Sequence, residues 1–191
     1  MLPAFTVFDV ETTGLDPKRG HRIIEIAAVR IEAGHVIADR TFVELVNPER
    51  PIPPEAGRIN KIRDQDVRDS PTIDQVLPRF LSFSKESVLI AHNAEFDMGF
   101  LETEKECCWG YIDLPECLCT LKLSRTLYPH EYRHSLDIVG ARLGITLPTA
   151  LHRALPDVLL TAQAFVKMLS AGKIERMEDL RRMAGIRQMV A

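Results

Sequence analysis

The chain has 191 residues, 46% of them hydrophobic and 27% charged, which suits one compact domain with a short appendage and excludes a disordered composition. No run of about 18 apolar residues occurs, so a helical membrane span is not expected. The net charge of −3 argues against a protein that coats nucleic acid non-specifically. It is compatible with an acidic pocket that divalent metal neutralises before an anionic substrate arrives.

In chain order, Met1-Leu2-Pro3-Ala4 leads into an apolar segment that soon carries Asp9 and Glu11. A secretory leader would have a basic start and an uncharged core, so a cytoplasmic location is expected. Phe5 to Val10 is short, apolar and β-prone and reads as a buried strand. Ile23 to Ile31 and Val36 to Val46 read as two more strands, joined by a hairpin turn at Glu32-Ala33-Gly34-His35. Pro48, Pro51, Pro53 and Pro54 end sheet structure and predict a loop. Apolar residues at helical spacing over Pro71 to Phe83 suggest a helix, although Pro78 opposes it. Val88 to Ala91 reads as a buried strand and Glu95 to Cys107 as a helix with Asn93 as its cap. Leu121 to Leu127, Leu136 to Leu143 and Leu155 to Leu169 are further helices, with Gly144 and Gly172 as stop signals after the last two. Antiparallel-prone strands followed by strand–helix alternation predict a mixed α/β sheet with helices on its faces.

The four cysteines, Cys107, Cys108, Cys117 and Cys119, lack the paired CxxC spacing of a zinc site. They read as free thiols filling packing gaps. Beyond Gly172, apolar residues recur at Ile174, Met177, Leu180, Met183, Ala184 and Ile186. This divides the chain into a domain over 1–172 and a helical appendage over 173–191. The appendage either folds back on the domain or docks a polymerase or a second copy of the chain.

Three segments place charge where an apolar element would not. Asp9-Val10-Glu11 ends the first strand, and alternation puts both carboxylates on one face of the sheet. Two close carboxylates repel, and burying them is costly without a cation. Hard divalent ions would turn that cost into a binding site; the plainer alternative is a solvent-exposed turn. His92-Asn93-Ala94-Glu95-Phe96-Asp97 runs from a buried strand into a helix. Asp97 there could be a third ligand at the carboxyl end of a strand, or only an anion favoured by the helix dipole. His152-Arg153-Ala154-Leu155-Pro156-Asp157 opens the last long helix. His152 suits a base with a pKa near working pH, and Asp157 a fixed ligand, whereas a histidine before a helix is commonly a surface residue.

Together the segments FDVETTGLD (8–16), AHNAEFD (91–97) and HRALPD (152–157) resemble the three motifs of the DEDDh (DnaQ-like) 3′→5′ exonuclease superfamily. The likeness runs from about residue 4 to 170 and is nearest to the proofreading epsilon subunits of bacterial DNA polymerase III and their stand-alone relatives. Cys119-Thr120-Leu121 departs from it where relatives often carry Asp, and Pro156 is unusual beside the last aspartate.

The resemblance implies a ribonuclease H-like mixed sheet, with the first three strands antiparallel and the later ones parallel, flanked by helices. It implies two divalent metal ions, Mg²⁺ or Mn²⁺. Asp9 would bridge them, Glu11 and Asp157 would hold the ion that binds the attacking water, and Asp97 would position the other largely through water. His152 would take the water's proton. The Thr12–Thr13 backbone and the side chains of Leu15 and Phe96 would hold the terminal nucleotide, with core packing the competing role for Leu15 and Phe96. The expected activity is release of nucleoside 5′-monophosphates from DNA 3′ ends, in proofreading or repair, with single-stranded DNA favoured. The alternatives are an exoribonuclease of the same fold acting on RNA ends, and a non-catalytic polymerase-associated module that binds nucleic acid. Lys122, Arg125, Arg133 and His134 read as a solvated basic face rather than as phosphate contacts.

Overall fold

The computed structural model describes residues 2–108, 112–146 and 153–186. The FTVFDVET run forms β1 (Phe5–Thr12), which lies at the centre of a five-stranded sheet. On one side it pairs antiparallel with β2 (Ile23–Glu32), which pairs antiparallel with β3 (His35–Leu45). The β2–β3 hairpin turns through Ala33 and Gly34, both at positive φ (48° and 79°), the geometry that matches strand twist in a two-residue loop. On the other side β1 pairs parallel with β4 (Val88–Ala91), and β4 pairs parallel with β5 (Cys117–Cys119). The order β3-β2-β1-β4-β5 is the mixed sheet expected, antiparallel over the first three strands and parallel afterwards.

Eight α-helices lie among the described residues: α1 (Pro54–Asn60), α2 (Asp64–Val67), α3 (Ile73–Phe83), α4 (Ala94–Glu104), α5 (Thr120–Leu127), α6 (Leu136–Arg142), α7 (Ala154–Ala171) and α8 (Met177–Ala184). Strand alternation divides the core between the two faces of the sheet. Phe5 and Val7 of β1 face α5, α6, α7 and α8, where Phe5 meets Phe165 edge-on with ring centroids 5.0 Å apart. Phe8 and Val10 face α3 and α4, where Phe8 meets Phe80. A small third cluster, Ile24, Ile52, Ala56, Ile62 and Val67, seats α1 and α2.

Several expectations change. The proline-rich stretch is not all loop: Pro54 occupies the first turn of α1, where its missing N–H costs nothing. Pro78 lies inside α3 without ending it. It is exposed, so water can satisfy the carbonyl that loses its donor. The helix after β4 stops at Glu104 and tightens into a 3-10 turn over Lys105–Cys108. Asn93 stands at the cap position of α4 in the left-handed conformation and makes no side-chain capping bond. The cysteines are free, as expected; Cys108, Cys117 and Cys119 pack in the core, while Cys107 is exposed. Cys117 and Cys119 form an edge strand that the sequence reading did not single out. His134 does not belong to a solvated face: it is buried, with Nδ1 on the Ser124 hydroxyl and Nε2 on the Glu131 carbonyl.

The segment after Gly172 returns to the domain. Ile174, Leu180 and Ala184 join the core, with α8 packed on α5 and β5, and Gly185 makes an antiparallel bridge to Leu118 of β5. The apolar stripe of α8 is thereby covered by its own chain. Leu180→Ala should lower unfolding free energy by about 2–5 kcal/mol, the usual cost of a buried leucine truncation. Urea denaturation measures it, and an unchanged midpoint would show that α8 adds nothing to the fold.

Candidate active site

The site forms at the carboxyl ends of β1 and β4, which are parallel neighbours. Asp9 and Glu11 project from the same side of β1, as alternation requires. That side faces α7, and Asp157 in the first turn of α7 completes a trio. Each of the three offers a carboxylate oxygen within 4.8 Å of the others. The trio is the one group of His, Cys, Asp or Glu side chains among the described residues arranged to hold a metal ion.

Asp97 arrives from the first turn of α4 and is 2% exposed. Its Oδ1 accepts from the Val10 N–H at 3.3 Å, so its carboxylate lies beside the Asp9–Glu11 segment without joining the trio. His152 lies outside the described residues; its neighbour Arg153 is the cap of α7.

The electrostatics record the crowding. Burial raises Asp9 well above the usual carboxylate range, and the charges of Asp97, Glu11, Asp157 and Glu25 add to it. Burial, then Glu25 and Asp157, push Glu11 up to about 8, with Arg153 opposing. Burial pushes Asp97 up to about 7 against the lowering effect of the Val10 N–H. Hard oxygen donors packed this tightly, each disfavoured as an isolated anion, fit divalent cations such as Mg²⁺ or Mn²⁺.

A cleft of about 500 Å³ opens beside the trio, lined by residues 10–16, by Arg19 and His21, by Pro53, Glu55, Ala56, Ile59 and Asn60 around α1, and by Phe96. Leu15, from the turn after β1, is 83% exposed and Ile59, from α1, is 56% exposed, and both line the cleft. Phe96 is half-buried and stacks on Phe100 at 5.1 Å, so it packs and lines the cleft at once. Thr12 and Thr13 are buried and internally bonded. The Thr12 hydroxyl donates to the Gly14 carbonyl, the Thr13 N–H donates to the Arg22 carbonyl, and the Thr13 hydroxyl accepts from the Arg22 N–H. The described bonds of Thr13 therefore shape the turn that presents Leu15. A Cβ at Gly14 would stand 2.4 Å from the His21 ring, so any other residue there would have to displace that ring.

Other residues back the site. His92, in the second motif, is half-buried; its Nε2 donates to the His134 carbonyl, and desolvation lowers its pKa to about 4, so it is neutral and ties the end of β4 to the 128–135 loop. Asn60 donates to the Thr12 carbonyl and accepts from the Ile62 N–H, anchoring α1 over the cleft. Glu25, 1% exposed, accepts two bonds from Arg153 and one from the Ala154 N–H. The sequence reading missed Glu25, although a carboxylate within IIEIAAV carries the same signal as Asp9: a charge inside an apolar strand.

In the metal-free protein the raised carboxyls hold protons that the unfolded chain releases near the ordinary values of 4.5 for Glu11 and 3.8 for Asp97. The folded state then binds more protons, so its stability falls as pH rises from there to about 8. Cations displace those protons. The rise in melting temperature on replacing EDTA by Mn²⁺ should therefore be larger at about pH 8 than at about pH 5.5; equal increments would show that the carboxylates do not bind the ion.

A model of the RNase T exonuclease family matches residues 6–165. A DNA polymerase III subunit epsilon-like protein of Rhodobacter capsulatus is 44% identical over 170 residues, covering 88% of this chain; the chain spans about a quarter (24%) of that protein. A DNA polymerase III subunit epsilon of Rickettsia conorii is 36% identical over 168 residues, covering 85% of this chain and 72% of its own. The solved structure of Exonuclease X in complex with 5′ overhanging duplex DNA is similar with a TM-score of 0.75 and 29% identity, covering 94% of this chain and 97% of that one.

Proposed function

Because the chain belongs to the DnaQ-like (DEDDh) exonuclease family, we propose that it removes nucleotides one at a time from the 3′ end of DNA, releasing nucleoside 5′-monophosphates. The observation that carries this reading is the Asp9–Glu11–Asp157 trio, its oxygens within 4.8 Å, with Glu11 also lining an apolar-walled cleft. DNA is favoured because relatives of this chain are named as polymerase III epsilon subunits and because Exonuclease X was solved with a DNA duplex. Those names also support a replicative polymerase as partner.

Asp9, Glu11 and Asp157, with Asp97 alongside, would hold two divalent ions, which lower the pKa of water and offset phosphate charge. The chain's own side chains do the rest. His152 takes the proton of the water that attacks phosphorus. As the new P–O bond forms, the bond to the 3′ oxygen of the penultimate nucleotide breaks, and that oxygen leaves on a strand one residue shorter. Leu15, Ile59 and Phe96 offer apolar surface to the terminal base; contact of this kind accepts any base, which suits trimming without sequence preference. In the metal-free protein near neutral pH Glu11, raised to about 8, is mostly protonated and Asp97, raised to about 7, partly so, which eases their repulsion until cations arrive.

The test is a Mg²⁺- or Mn²⁺-dependent assay on 3′-labelled single-stranded DNA, mismatched duplex and RNA of one sequence. Labelled 5′-mononucleotides from the DNA strands are expected; faster decay of the RNA would reassign the substrate, and no release from any strand would leave a binding module. Asp9→Asn should fold and lose nearly all activity, with wild-type rates counting against the metal assignment. His152→Ala should slow turnover by about 10²–10⁴, the usual loss of a general base.

A further inference from the structure

The basic residues between 122 and 134 separate in the fold. Lys122 pairs with Glu95 at 2.7 Å, and His134 is buried. Arg125 and Arg133 are exposed, and neither makes an ion pair among the described residues. The 2.8 Å bond between the Ser124 hydroxyl and His134 Nδ1 draws them together, because each is the chain neighbour of one bonded residue. Tyr132, beside Arg133, stands wholly in solvent at 101% exposure. Of the nearby acids, Glu131 is engaged by Arg142, and Asp137 is lowered foremost by the Ser135 hydroxyl, with Arg133 a minor contributor.

The loop that carries Tyr132 is fixed at several points. Arg142 Nη2 donates to the Arg133 carbonyl at 2.7 Å and to Glu131 Oε2 at 3.1 Å, and its guanidinium lies 5.5 Å from the Tyr128 ring centre. His134 Nε2 donates to the Glu131 carbonyl at 3.0 Å, and His92 Nε2 to the His134 carbonyl at 2.9 Å. His92 directly follows β4 and opens the segment that ends at Asp97, so the loop is tied to the sheet edge where the carboxylates gather. Arg125 is near enough to add to the lowering of His92 that desolvation begins. In the order β3-β2-β1-β4-β5, α1 seats on Ile24 of β2 and walls the cleft from that side, while this loop lies on the β4 side. A strand that crosses the trio from the α1 wall therefore runs toward Tyr132. An aromatic ring held in water between two unneutralised guanidiniums has the chemistry of a single-strand contact: a flat face for a base and cations for the phosphates.

We propose that Tyr132, Arg125 and Arg133 form a second substrate contact, in which the ring stacks on a base upstream of the scissile bond and the two guanidiniums bind the phosphates around it. The inference rests on the exonuclease reading and deepens it. The cleft takes the nucleotide being removed; this surface takes the strand that stays. It holds that strand through base faces and phosphates, features every sequence shares, and it lets a chain of net negative charge keep an anionic polymer beside its acidic site.

The test compares two substrates at one Mg²⁺ concentration: a 3′-labelled oligothymidine strand, and the p-nitrophenyl ester of thymidine 5′-monophosphate, which has no upstream nucleotide. Tyr132→Ala should lower kcat/KM on the strand about 5- to 100-fold, the range for losing one base–aromatic stack, and should do so through KM. Tyr132→Trp, which keeps a flat ring, should recover most of that loss. The loss on the ester should be smaller by at least about fivefold, since the ester ends before it reaches the loop. Replacing Arg125 and Arg133 together by Gln should flatten the slope of log KM against log salt by about 1.4, two phosphate contacts at about 0.7 each. In EDTA, where nothing is cut, the Kd of a fluorescein-labelled strand should rise for each variant by about the factor seen in KM. Equal losses on strand and ester, no loss on the strand, or an unchanged salt slope would overturn the proposed surface and leave the exonuclease reading intact. Wild-type protein that releases product from neither substrate would overturn the exonuclease reading, and the EDTA titration would then decide the surface by itself.

Discussion

The structure depends on one electrostatic constraint: carboxylates from three distant stretches of chain are held against one another where water cannot screen them well. Asp9, Glu11 and Asp157 crowd within 4.8 Å, with Asp97 and Glu25 close behind. Like charges in such a setting are paid for elsewhere in the fold or neutralised by cations. The fold supplies the first device for two of these carboxylates and leaves the trio with the geometry for the second. Glu25 is neutralised from within by Arg153, and Asp97 is steadied by the Val10 amide, while the oxygens of the trio converge as a divalent ion would require.

The sheet order makes this crowding possible. A central β1 with a parallel neighbour on one side sends two carboxyl-terminal strand ends to the same edge, so that Asp9 and Glu11 meet the start of α4. The third acidic segment comes from a helix packed on the opposite face of the sheet from α4, and α7 can deliver Asp157 because its buried stripe runs along β1 and β2. The two cores are therefore not interchangeable supports: one carries Asp97 and the other Asp157, and β1 between them carries the rest.

The cleft shows a similar division between scaffold and contact. Thr12, Thr13, Asn60 and His21 spend their hydrogen bonds on shaping the turn after β1 and on seating α1. Leu15 and Ile59 stand exposed in the lining of the cleft. Two large apolar side chains exposed in one cleft beside an acidic cluster mark it as a surface suited to a flat apolar ligand group.

Much of this was legible in the sequence. Strand alternation placed Asp9 and Glu11 on one face, apolar periodicity located the principal strands and most helices, and a charge inside an apolar element marked each acidic segment. These are local signals, set by backbone geometry over a few residues. What lay outside their reach depended on partners far along the chain. The proline stretch became α1 because Ile24, Ile52 and Ile62 gave Ala56 a core to bury against. The CLC edge strand formed because β4 offered it a ladder. His134 left the surface because Ser124 and Glu131 could satisfy its ring. Glu25 was readable as an anomaly, but its meaning required Arg153, 128 positions away. Sequence alone thus determined which residue types alternate and where charge intrudes; only tertiary structure decided which charges meet, because the cost of a buried carboxylate is set by the groups folded against it and not by its neighbours in the chain.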